Sequence, residues 1–441
     1  MAIERTDTVV VGAGQAGIAM SEHLGKAGVP HIVLERSRIA ERWRSERWDS
    51  LVANGPAWHD RFPNMAFACD PEAFPGKESV ADYFVDYAKM IGAPVRCGVT
   101  VTSVTALEGR AGFRVETVTD GVQGTDGVKG VIEANRVVAA TGPFQKPIVP
   151  EVVPAAEAAR LGITQMHSTA YRNPDALPAG AVLVVGAGSS GTQIADELQR
   201  AGRRVYLAVG PHGRPPRRYR GRDFVWWLGV LGLWDLETPP AGAEHVTIAV
   251  SGAYGGATVD FRKLAARGMT LVGKAERYAG GVLHFSDDLK QSIAAGDADY
   301  LAVLDAADAY VARNGLDLPP EPEARVLGPD PECVHIPILS LDLAAAGVTS
   351  IIWATGFALD YGWLQLGPAV FAANGKPIHR RGVSTVVPGL YFVGLPWLSR
   401  RGSSFIWGVW HDARHVADQI AIQRSYAAYR GPAGVVRAVA E

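Results

Sequence analysis

The chemistry of this chain is concentrated in two short glycine-rich stretches. One is Gly12-Ala13-Gly14-Gln15-Ala16-Gly17, the other Gly186-Ala187-Gly188-Ser189-Ser190-Gly191. Both have the G-x-G-x-x-G spacing. The first glycine allows a tight turn, the second lets the backbone approach a pyrophosphate, and the third lets the next helix pack closely on the strand. A pyrophosphate there rests on free N–H groups at the positive end of a helix. Glu35 stands 23 residues after Gly12, where an acid accepts hydrogen bonds from an adenosine ribose. Gln15 and Ala16 lie within the turn, and Arg36 follows the acid. The second stretch has no such acid: the matching position is Val209, followed by Gly210 and Pro211 and then by an arginine-rich run holding Arg214, Arg217 and Arg218. A missing acid beside a cationic cluster suits a 2′-phosphate, so NADPH is expected there in preference to NADH. The bland reading of that run is a solvated basic loop.

Each stretch needs a strand before it and a helix after it. Val9-Val10-Val11 is a short β-branched run, the helix reads Ile18 to Lys26, and a second strand runs Ile32 to Leu34. Ala181 to Val185, Thr192 to Ala201 and Arg204 to Val209 repeat the unit, and one chain with two such units most simply binds two dinucleotides. Between them, Glu78 to Met90 reads as a helix. Val99 to Leu107 and Phe113 to Val118 read as a hairpin or meander, with a glycine-rich turn region at Gly121 to Gly130. Val137 to Ala140 is a buried strand ending in Ala140-Thr141-Gly142, and Pro143, Pro147 and Pro150 make the next segment extended. A second Ala-Thr-Gly follows the strand at Ser350 to Trp353. Ser403 or Ser404 could cap a helix from about Phe405 to Gln423, whose N-terminus could stabilise negative charge.

Composition narrows the function class. The chain has 441 residues, 48% hydrophobic and 20% charged, with a formal net charge of −2, a globular balance with no basic excess for nucleic acid. The first strand begins too early to leave room for a signal peptide. No apolar run nears the ~20 residues of a membrane span, so a soluble cytoplasmic protein is expected. Cys69, Cys97 and Cys333 are far apart, which fits a reducing compartment and argues against a disulfide reductase with a closely spaced redox pair. The eleven histidines show no metal-ligand spacing. Trp43, Arg47 and Trp48 either pack on a bound cofactor or anchor a surface loop. The apolar Phe224–Trp234 stretch is expected to be buried packing; a substrate tunnel, a homodimer contact and membrane contact are its other readings.

Taken together, these residues resemble the class B flavoprotein monooxygenases, in particular the flavin-containing monooxygenase group, over nearly the whole chain. The resemblance implies an α/β fold of two Rossmann-like domains. The FAD domain is discontinuous (1–165 and 325–441), with the NADPH domain (166–324) inserted. Gly12, Gly14, Gly17 and Glu35 look like the family's FAD site, and Gly186 to Gly191 like its NADPH site. Ala140-Thr141-Gly142 and Ala354-Thr355-Gly356 resemble its two interdomain linkers. Trp43 resembles the tryptophan of a Gly-Gly-x-Trp motif in which Ala40 and Glu41 replace the glycines, and Val101 is similar to an adenine-contacting valine. Asn54 resembles an asparagine that sits over the flavin and steadies the oxygenated intermediate. His167 and Tyr171 fit the last part of the family's F-x-G-x-x-x-H-x-x-x-[F/Y/W] sequence, whereas Leu161 and Ile163 depart from the first part. His167 is read as a structural histidine at a domain hinge. By resemblance, NADPH reduces FAD, dioxygen adds to give a flavin hydroperoxide, and a small-molecule substrate is oxygenated, foremost at nitrogen or sulfur. Baeyer–Villiger insertion, oxidative decarboxylation of a 2-oxo acid, and a non-oxygenating NADPH oxidase or sensor are the alternatives.

Overall fold

The computed structural model describes residues 3–119, 127–240 and 248–429. Its first unit is nucleated by β1 (Glu4–Val11), α1 (Gln15–Lys26) and β2 (His31–Glu35), with α1 beginning inside the first glycine-rich turn. β1 is flanked in parallel by β2 and by a long strand, Val128–Ala139. The short Val95–Cys97 strand extends the sheet beyond β2, and Leu390–Phe392 extends it on the other side. The hairpin Val99–Ala106/Phe113–Thr119 forms as expected and joins through Val128–Ala139. Of the turn region expected at Gly121 to Gly130, positions 121–126 lie outside the described residues.

The second unit is a five-stranded parallel sheet in the order Thr270–Val272, Val205–Ala208, Ala181–Val185, Val348–Trp353, Thr164–His167. Its sheet membership corrects the expected boundaries at 165/166 and 324/325. Thr164–His167 and Val348–Trp353 belong to this second sheet, because Ser350, Ile351 and Ile352 register between Thr164–Met166 on one side and Val182–Val184 on the other. The chain therefore leaves the first sheet after Ala139 and returns to it only after Trp353, at the two Ala-Thr-Gly segments. The extended strands after them pair antiparallel, Phe357 with Pro147 and Ala358 with Lys146, which ties the crossings together.

The helices bury what their patterns predict. Lys77–Met90 turns Tyr83, Phe84 and Tyr87 inward, against α1 and the last helix, Ile406–Ala428. That last helix corrects one expectation: its N-cap is Phe405, with no side-chain cap, whereas Ser403 and Ser404 belong to a preceding 3-10 turn, Arg401–Ser404. The Ser403 hydroxyl is spent on the N–H groups of Ser399 and Arg400. The apolar Phe224–Trp234 stretch folds as a short helix, Phe224–Val230, and a 3-10 turn, with Trp227 and Trp234 in buried clusters. No helix among the described residues is long and apolar enough to cross a membrane.

His23 on α1 lies edge-on to Trp410 at 4.3 Å, and burial pushes its imidazole down to about 4. The unfolded chain therefore binds a proton below its ordinary value of 6.5 that the folded chain refuses. Stability is expected to fall as pH drops from 6.5 towards 4, with His23 contributing about 3 kcal/mol of the loss. Denaturant unfolding of His23→Phe across this range should show a flatter slope than the wild type.

Candidate functional site

The first glycine-rich turn opens into a cavity of about 470 Å³. Its lining includes Gly12, Gly14, Gln15, Ala16, Glu35, Arg36, Trp43, Val101, Thr141 and Gly142. Residues spread over 130 positions of sequence thus face one space, because the ends of β1, β2 and Val128–Ala139 lie side by side in the sheet. Gly17 stands behind the cavity: a β-carbon there would collide with the Gly12 carbonyl oxygen. At Gly14 a β-carbon would meet nothing within 4 Å, so this glycine leaves space on the cavity side.

Glu35 is held by the turn it serves. Its carboxylate accepts the Ala13 N–H at 2.8 Å and the Ser37 N–H at 3.0 Å. A carboxylate has about four acceptor sites, so capacity remains for ribose hydroxyls. Gln15 reaches across to the other end of the fold, donating to the Ser404 carbonyl at 2.7 Å. Ala40 adopts the left-handed conformation (φ 56°) where the resemblance places a glycine, so the turn before Trp43 survives the replacement.

Several cavity residues carried no clear sequence signal. Gln145 donates to Thr141 Oγ1 at 2.9 Å and to the Gly142 carbonyl at 2.7 Å, and its own oxygen accepts the Asp360 N–H at 2.6 Å. One amide thus fastens both crossing segments beside the cavity. Arg47 lies over the Trp43 and Phe144 rings, and burial pushes its guanidinium down to about 10. Its sequence signal is the tryptophan and arginine run at 43–48.

The second cradle is built like the first. Helix Ser189–Arg200 starts after Gly188, and a β-carbon on Gly191 would collide with the Gly186 carbonyl. The Ser189 hydroxyl donates to the Ile248 carbonyl at 2.8 Å. The arginine cluster, however, departs from its expected form. Arg214 is buried and grips Asp297 at 2.6 Å, and Arg217 is buried and paired with Asp223. Arg217 also donates to the Asn54 carbonyl at 2.6 Å and lies over the Phe74 ring. Arg214 and Arg217 are thus internal ion pairs rather than an open clamp for a 2′-phosphate. Only Arg218 of the three is exposed.

Asn54 does not line the first cavity. It sits where the units meet, accepting from Gln193 of the second helix at 2.8 Å. His167 is at the crossing, donating from Nε2 to the Gly356 carbonyl at 3.0 Å while Nδ1 faces Thr169, and burial lowers its pKa. Tyr171 is fully buried and bonds Glu197 at 2.7 Å. Both serve internal contacts. Among the described residues, no group of three or more His, Cys, Asp or Glu side chains could hold a metal ion.

The comparisons with known proteins agree with this architecture. A family model described as pyridine nucleotide-disulphide oxidoreductase matches residues 9–220. The fold is that of a flavin-containing monooxygenase from Stenotrophomonas maltophilia, with a TM-score of 0.63 at 19% identity, covering 97% of this chain and 100% of that one. It is also similar to the bacillithiol disulfide reductase of Bacillus cereus, with a TM-score of 0.60 at 16% identity, covering 95% of this chain and all of that one. Fold and cradles together define an oxidoreductase built on two dinucleotide-binding units. Within that class the chain belongs to the CzcO-like oxidoreductase family. It is 34% identical over 417 residues to the uncharacterized CzcO-like oxidoreductase of Geobacillus kaustophilus, covering 94% of this chain and 98% of that protein. The indole-3-pyruvate monooxygenase YUCCA4 of Oryza sativa is 32% identical over 207 residues, 46% of each chain.

Three expected outcomes separate binding from folding. Gly14→Val should fold but purify without the yellow absorbance of FAD, since its side chain enters open space that a pyrophosphate needs; normal FAD content would refute the first cradle. Arg217→Met should cost about 3–5 kcal/mol in denaturant unfolding, because it strands a buried carboxylate. Arg218→Ala should change stability by less than about 0.5 kcal/mol.

Proposed function

We propose that the protein is a monooxygenase that uses FAD, NADPH and dioxygen to oxygenate a small organic molecule, foremost at nitrogen or sulfur. The carrying observation is that the fold's two dinucleotide cradles come without a dithiol: Cys69, Cys97 and Cys333 are all free thiols. Electrons delivered to the flavin then have no protein disulfide to reduce, and a small acceptor must take them. The bound flavin would supply hydride acceptance and oxygen activation. The chain's own residues do the rest. Glu35 and the start of α1 hold the FAD ribose and pyrophosphate, Trp43, Val101, Thr141 and Gly142 wall the same cavity, and Asn54 offers its amide at the junction of the units. Gly186 to Gly191 receives the second pyrophosphate. Preference for NADPH rests on Val209 and Gly210, which put no carboxylate at the position that would hold a free 2′-hydroxyl, with Arg218 as an exposed cation of the run that follows in sequence. The free cysteines support a reducing, cytoplasmic location.

The similarity to the plant indole-3-pyruvate monooxygenases favours one second reading, oxygenation of a 2-oxo acid with loss of carbon dioxide. Product analysis with an amine, a thioether, a ketone and a 2-oxo acid separates the two. The decisive measurement is stopped-flow absorbance of the NADPH-reduced protein mixed with oxygenated buffer. A long-lived near-ultraviolet band distinct from oxidised flavin is expected. Direct return to oxidised flavin without that band would overturn the monooxygenase reading in favour of an oxidase or sensor.

A further inference from the structure

The segment from Ser45 to Asn54 belongs by sequence to the first unit but is fastened to the second. Arg172 donates to the Ser45 carbonyl, the Asp49 N–H donates to the Arg172 carbonyl at 2.8 Å, and Asn173 donates to the Asp49 carboxylate at 2.7 Å. Trp48 and Leu51 pack with Ile194 and Leu198 in the core of the second unit. At the end of this segment stands Asn54.

Gln193, on the second turn of helix Ser189–Arg200, is buried, and both hydrogens of its amide are used. Nε2 donates to the Val250 carbonyl at 2.8 Å and to Asn54 Oδ1 at 2.8 Å. A backbone carbonyl only accepts, so Val250 determines that the NH2 end of Gln193 points this way. The same NH2 then faces Asn54, which must present its oxygen, and the two N–H donors of Asn54 are turned away from Gln193. Arg217 fixes the Asn54 backbone through its carbonyl, and Ala53 is anchored by its N–H to the Pro75 carbonyl at 2.7 Å. The chain Val250–Gln193–Asn54 thus sets which end of the Asn54 amide is free to donate.

We propose that Gln193 is a positioning residue for Asn54 and couples occupancy of the second cradle to the Asn54 amide. The helix that receives the pyrophosphate carries Gln193 one turn beyond its start, so settling the helix on a bound dinucleotide also settles Asn54 as a hydrogen-bond donor. The reactive role of Asn54 rests on the function proposed above. The coupling itself rests on the hydrogen bonds.

Two measurements test it on the FAD-loaded protein. The first is hydrogen–deuterium exchange with and without NADP⁺. In the wild type, NADP⁺ is expected to protect the segment around residues 186–192 and also the segment around 51–55. Q193L should keep the first protection and lose the second. Wild-type protection confined to 186–192, or protection of 51–55 that survives in Q193L, overturns the coupling. The second is the rate at which oxygen reoxidises the NADPH-reduced flavin with NADP⁺ present. Q193L and N54A are each expected to change it by about tenfold, and the double variant by no more than N54A alone, as for residues in one network. A wild-type rate in Q193L, or effects that multiply in the double variant, overturns the proposal. Should Q193L fail to retain FAD, Q193E keeps the volume but cannot donate to Val250 or Asn54, and carries the same expectations. If the wild type reoxidises directly, the monooxygenase reading fails, while protection and non-additivity still decide the role of Gln193.

Discussion

Both cradles depend on a backbone approach that leaves no room for a β-carbon. Gly17 abuts the Gly12 carbonyl and Gly191 abuts the Gly186 carbonyl, so each helix starts directly against the strand that precedes it. A second approach is repeated as well: a β-carbon on Gly12 would press on the carbonyl of Ala140, and one on Gly186 on that of Ala354. Each glycine turn is therefore backed by one of the two Ala-Thr-Gly segments. The points where the chain crosses between units thus stand directly behind the two glycine turns, so the crossings and the cradles cannot be changed independently.

This backing explains why the junction is so heavily hydrogen-bonded. Gln145 ties Thr141 and Gly142 to Asp360, His167 ties the second unit to Gly356, and the short strands after each crossing pair with one another. Burial lowers the pKa of His167, and its two ring nitrogens take opposite roles: Nε2 donates to the Gly356 carbonyl while Nδ1 accepts the Thr169 N–H at 3.2 Å. A histidine in the middle of a family-identifying sequence is here a joint, with both nitrogens committed to the chain.

The arginines show the same economy of placement. Arg214 and Arg217 stand in an arginine-rich run whose sequence suits a phosphate clamp, yet both are folded inward onto carboxylates. Arg217 touches Asp223, the Asn54 carbonyl and the Phe74 ring, so one guanidinium joins the loop of the first unit to the second. A buried guanidinium without its carboxylate would be costly, and the pairing makes this cluster a structural rivet.

The features legible in the chain alone are local. The strand–turn–helix units, Glu35 at its distance from Gly12, and the repeat of the unit are readable because their parts lie within about thirty residues and their chemistry depends on backbone geometry that glycine alone permits. The hairpin and the helix near residues 77–90 are readable for the same reason, through alternation and apolar periodicity. Features that depend on distant partners emerge only once the chain is packed. The strand Val348–Trp353 looks equally suited to either sheet until its neighbours are known, which moved both unit boundaries. Arg214 looks solvated until Asp297, far along the chain, meets it. Asn54 looks like a lone polar residue in a loop until Gln193 and Arg217 close on it from the other unit. Periodicity and spacing carry no information about such pairs, because the energy of burying a charge or an amide is set by which group faces it, and only the packed chain brings those groups together.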